Sequence, residues 1–101
     1  MTKHDWRAEF KRLEGAYAPA TLRAYYTDIQ KFTDYCSVQG LQPFPANADT
    51  VCDFIAAQGV GLRPGSVRRC LYAIRKIHLL LRLPDPTADE ILLQKELAQL
   101  T

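Results

Sequence analysis

Between its glycines and prolines the chain repeats apolar residues every three or four positions, and no segment alternates with period two for long enough to make a strand. That periodicity restricts the fold to helices packed through apolar stripes. Trp6, Phe10 and Leu13, at i, i+4 and i+7, mark a short opening helix with Gly15 just beyond it. A second helix is expected after Pro19, capped by Thr21, with Leu22, Tyr25, Tyr26, Ile29, Phe32, Thr33 and Cys36 on one face down to about Val38. Gly40 closes it, and Pro43 and Pro45 hold the connection extended. Asn47 caps a third helix that uses Val51, Phe54 and Ile55 and stops near Gly59. Gly59-Val60-Gly61 leads to a fourth, which takes Pro64 in its first turn and is broken by Pro84 and Pro86. Thr87-Ala88-Asp89-Glu90 has the pattern of a capping box and opens a last helix toward the C-terminus. The expected fold is all-α, a compact four-helix bundle with a shorter leading helix. Residues 1–16 carry the leading helix and 17–101 the bundle.

The fourth helix has a charge pattern of its own. Arg63, Arg68, Arg69, Arg75, Lys76 and Arg82 fall in a stretch whose nearest carboxylates are Asp53 and Asp85. Wound at 3.6 residues per turn, Val67, Cys70, Leu71, Ile74, Ile77, His78 and Leu81 share one side. Arg68, Arg69, Arg75, Lys76 and Arg82 lie about 150° away. A helix that buries one face and shows cations on the other suits a polyanion, DNA backbone above all, or simply a solvated face. The net charge of +2 conceals this, because the acids gather before residue 54 and after residue 84.

Other classes find less support. No apolar run reaches the ~20 residues of a membrane span, and the N-terminus has no signal-peptide core, so no membrane partner is expected and a cytoplasmic location is. Cys36, Cys52 and Cys70 are odd in number, lack CxxC spacing and follow apolar stripes, which predicts buried reduced thiols and no metal site. His78 lies on an apolar face as a structural imidazole. His4 and Arg7 form an H-x-x-R string with no nucleophile arranged nearby, and Gly59-Val60-Gly61 is no phosphate loop. No catalytic residue and no cofactor is assigned.

The run from Thr21 to Thr87, about two-thirds of the chain, resembles the N-terminal core-binding domain of tyrosine recombinases, the phage-integrase and Cre/Xer-like family. Ala20-Thr21-Leu22-Arg23-Ala24-Tyr25 with Asp28, Ile29 and Phe32 looks like its first core helix. Pro43-Phe44-Pro45-Ala46 with Val51, Phe54 and Ile55 looks like the proline-bearing loop and second core helix. Gly65-Ser66-Val67-Arg68-Arg69 with Ile74, Ile77 and His78 resembles the helix such enzymes lay against DNA, and Leu83-Pro84-Asp85-Pro86-Thr87 the connection onward.

The resemblance implies a SAM-like helical bundle that forms one half of a clamp on a double-stranded DNA half-site and positions a separate C-terminal catalytic domain of the same polypeptide. The catalytic residues belong to that second domain, and His4 and Arg7 stand in the wrong place to supply them. Neighbouring recombinase subunits on DNA are the other implied partners. Thr21, Arg23 and Ala24 occupy DNA-facing positions on the first core helix, and Gly65, Ser66, Arg69 and Cys70 on the basic helix. The helical wheel adds Arg68 and sets Cys70 at the core edge, so a boundary position is expected for it. Gly65 departs from the family's larger polar residue. Arg63 is expected as a phosphate contact, and Lys76 and Arg82, too far along the helix to enter the same groove, as phosphate contacts or a solvated face.

The last helix spreads Ile91, Leu92, Leu93, Leu97 and Leu100 round more of its surface than one stripe requires. That fits either deep wrapping within the domain or a second partner, and the stop at Thr101 reads as a cut in a longer chain. A helical protein-interaction module that binds through this helix is the alternative to DNA binding, and it leaves the basic helix without a role.

Overall fold

The computed structural model describes residues 5–58 and 63–88. It is all-α: α1 (Trp6–Phe10) runs into a 3-10 turn (Lys11–Leu13), followed by α2 (Pro19–Gln39), α3 (Ala48–Ala57) and α4 (Pro64–Leu80). The expected last helix and the Gly59-Val60-Gly61 link lie outside the described residues.

Local chemistry accounts for most of the boundaries. Asp5 caps α1 by accepting the Ala8 N–H at 3.2 Å, and Asn47 caps α3 by accepting the Thr50 N–H at 2.8 Å. Gly40 ends α2 in the left-handed region at φ +71°; the Leu41 N–H reaches back to the Cys36 carbonyl at 2.8 Å. Two expectations need correction. Thr21 is no cap, because α2 already starts at Pro19, whose ring presets the helical φ, with Ala18 as the extended residue before it. Nor do Pro84 and Pro86 stop α4. Its last carbonyls are closed earlier, by Arg82 N–H to Leu79 and Leu83 N–H to His78 at 3.0 and 2.9 Å. This places Arg82 at φ +60°, where a side chain costs roughly 1 kcal/mol.

Two apolar clusters hold the helices together. The first joins Phe32 and Cys36 of α2, Val51, Cys52, Phe54 and Ile55 of α3, and Cys70 and Ile74 of α4. Phe32 and Phe54 meet edge to face at 5.2 Å. The second gathers Trp6, Phe10 and Leu13 against Ile29, Phe44, Ala73 and Ile77, so the leading helix seals the crossing of α2 and α4. All three cysteines are buried, as their stripe positions predict. Burial pushes the Cys36 thiol up to about 11 and the Cys70 thiol to about 12.

His78 is wholly buried and ties α4 to the loop before α3. The Ala46 N–H can only donate, and it points at Nε2 from 3.0 Å. Nδ1 therefore carries the proton and donates to the Ile74 carbonyl at 2.8 Å. With both nitrogens engaged and Phe44 against its ring, this imidazole is structural.

Candidate nucleic-acid interface

Buried Cys70, Ala73, Ile74, Ile77 and His78 turn one side of α4 inward and leave Gly65, Arg68, Arg69, Tyr72, Arg75 and Leu79 on an exposed arc. Lys76 sits half-buried at its edge. Six cations stand between Arg63 and Arg82, and tertiary contacts divide them. Arg69 is clasped by Asp28 of α2: Nε donates to Oδ2 at 2.8 Å and Nη2 to Oδ1 at 3.0 Å. Arg75 reaches Asp85 at 3.4 Å. Among the described residues Arg63, Arg68, Lys76 and Arg82 have no carboxylate partner. The charge available to an outside anion therefore comes mainly from these four.

The Asp28–Arg69 pair is asymmetric. The Asp28 side chain is 8% exposed and that of Arg69 44%. The aspartate's bond raises the Arg69 pKa still further, so the guanidinium stays charged. Beside it, Tyr25 of α2 packs on Tyr72 of α4 at 5.5 Å, and the hydroxyls of Tyr72 and Tyr17 meet at 2.7 Å. That bond, with partial burial, pushes the Tyr17 phenol up to about 12.

The N-terminus of α4 adds a second anion-attracting feature. Arg63 precedes Pro64, and among the described residues no side chain caps the first turn, so none of them takes the N–H groups of Gly65 and Ser66. Gly65 has nothing within 4 Å of where a Cβ would stand, which keeps the approach to this turn open.

The expected contact residues separate into groups. Arg63, Gly65, Ser66, Arg68 and Arg69 lie together on the first turns of α4, with Lys76 about two turns further along. Ala24, half-buried, is one turn before Asp28 and borders the same seam, and Thr21 is a half-buried residue of the first turn of α2. Arg23 goes elsewhere. It lines a shallow cleft with Phe10, Lys11, Leu22 and Tyr26, beside the leading helix. Cys70 is corrected: it is 6% exposed within the first cluster, on the core side the helical wheel gives, and has no surface to turn toward a groove.

Asp28 is the residue that sequence reasoning missed as a site component. A carboxylate between Tyr25 and Phe32, inside the apolar stripe of α2, requires a cationic partner, and that signal was present. Among the described residues no group of three His, Cys, Asp or Glu side chains is placed to hold a metal ion. No helix among them is long and apolar enough to cross a membrane.

An all-α bundle with a partly neutralised cationic helix face is the class these features define. Over 69 residues the chain is 32% identical to an integrase/recombinase XerD homolog of Selenomonas ruminantium, which supports a relationship to the tyrosine recombinases. The match covers 68% of this chain and 20% of that protein, so the chain spans only a small part of its relative's length. No family model matches the chain, and no solved structure does.

Proposed function

We propose that this chain is the DNA-gripping, non-catalytic helical domain of a tyrosine recombinase, the core-binding half of a clamp whose catalytic half is a separate domain. The observation that carries the reading is the cationic side of α4 and its two ends, where Arg63, Arg68, Lys76 and Arg82 lack a carboxylate partner among the described residues. Arg63, Arg68 and Lys76 supply charge to phosphates, and the open N–H groups of Gly65 and Ser66 add directed donors. Thr21 and Ala24 border the seam from α2. The similarity to a recombinase and the order of the motifs from Thr21 to Thr87 point the same way. In this reading neighbouring subunits assemble on a paired DNA site, and the domain alone is monomeric.

The test is fluorescence anisotropy of a labelled ~30-bp duplex titrated with the chain across a salt series. Neutralising about four phosphates gives a slope of log K against log salt of about −3.6. Absence of binding at low salt, together with capture of a protein partner through the C-terminal leucines, would favour the interaction-module alternative.

A further inference from the structure

Arg69 alone among the cations of α4 is held by two hydrogen bonds to a buried carboxylate, and charge compensation and a fixed orientation are the requirements of a group that reads a base edge. Asp28 occupies the Nε–Nη2 edge of the guanidinium with both of its oxygens. The edge formed by Nη1 and the second Nη2 hydrogen is left over, and Nη1 has no partner among the described residues. The Asp28 side chain is buried and the Arg69 side chain nearly half exposed, so the second edge is left for an acceptor from outside. Gly65, one turn earlier on the same face, puts no side chain in front of it. A paired arginine adds little net attraction for phosphate, but two parallel N–H donors in fixed orientation match the O6 and N7 acceptors of guanine in the major groove.

We propose that Arg69 reads one guanine of the target duplex and that Asp28 is its positioning residue. The assignment rests on the DNA-binding reading above and names what one part of that face recognises. Unpaired Arg63, Arg68 and Lys76 act on phosphates and carry no sequence information. A bidentate arginine–guanine pair discriminates against the other bases by roughly five- to hundredfold.

Selection from a pool of randomised ~30-bp duplexes, followed by sequencing of the retained fraction, tests this. The wild-type chain is expected to enrich guanine at one position. Asp28→Asn keeps the side-chain size and adds a net positive charge, so total retention holds or rises while the guanine preference falls below about threefold. Arg69→Lys keeps the charge, loses the fork and has the same effect on preference. Arg68→Ala weakens retention of all sequences alike and leaves the preference intact. Because preference is a ratio, a reduced folded fraction in any variant does not move it. Retention without base preference in the wild type, or an undiminished preference in Asp28→Asn, overturns the inference and leaves the DNA reading standing. Failure of the wild type to retain any duplex overturns both.

Discussion

Arg69 and Cys70 are adjacent on α4 and belong to opposite environments. Cys70 enters a dry cluster with Phe32, Phe54, Ile55 and Ile74, whereas Arg69, about 100° round the helix, closes an ionic clasp at the rim. The dry side is held by shape and by removal of apolar surface from water, so an apolar residue of similar bulk can serve there. The rim depends on one partner. Remove Arg69 and a buried carboxylate is left behind; remove Asp28 and a cation is released to solvent. Dry packing and fixed charge thus divide at a single turn of one helix.

Phe32→Ala should break the dry side most severely. Phe32 is fully buried against Phe54, and its truncation is expected to cost about 3–5 kcal/mol in urea unfolding. A loss below about 1 kcal/mol would mean that the cluster is loosely packed. Arg69→Ala comes next, at about 1–3 kcal/mol: the Asp28 carboxylate loses its partner, while the exposure of the arginine tempers the loss. A cost as small as that of a surface pair would contradict the asymmetry drawn here.

The thiols sharpen the same division through pH. Unfolded cysteines release their protons near pH 9, while the folded Cys36 and Cys70 hold theirs to about 11 and about 12. Above pH 9 the unfolded state therefore binds fewer protons, and stability falls as pH rises. The contribution is complete below pH 9 and is lost through the interval up to pH 12. Unfolding curves for a Cys36→Ala/Cys70→Ala variant should show a shallower alkaline decline; an identical decline would assign the titration to other groups. The smallest effect is expected from Arg12→Ala. Its pair with Glu9, at 2.8 Å, joins residues one turn apart on the surface, and thermal or urea unfolding should shift by no more than about 0.5 kcal/mol.

The dry side was legible because burial imposes period 3.6 on residue type. Trp6, Phe10 and Leu13 announce the leading helix, Asn47 and Gly40 carry the chemistry of their caps, and Val51, Phe54 and Ile55 mark the face of α3. The rim was legible only as a row of cations. Which of them are spent on internal partners depends on contacts 41 residues apart, between Asp28 and Arg69, and on the turn that brings Asp85 back to Arg75. Arg23 shows the same limit. It shares a helix turn with Ala24 but is rotated about 100° from it, into the cleft beside the leading helix. The end of α4 was misread for a local reason: Arg82 accepts a left-handed conformation that composition assigns to glycine.

The DNA-binding proposal requires that the cations of α4 without a carboxylate partner among the described residues form the DNA face. The direct measurement is duplex affinity at low salt for Arg68→Ala and Lys76→Ala beside Arg12→Ala, a cation of the 3-10 turn already paired with Glu9. Loss of affinity in the first two, with a salt slope shallower by about 0.9 for each contact removed and no change for Arg12→Ala, is the predicted result. Equal affinity in all three variants and the wild type would contradict it.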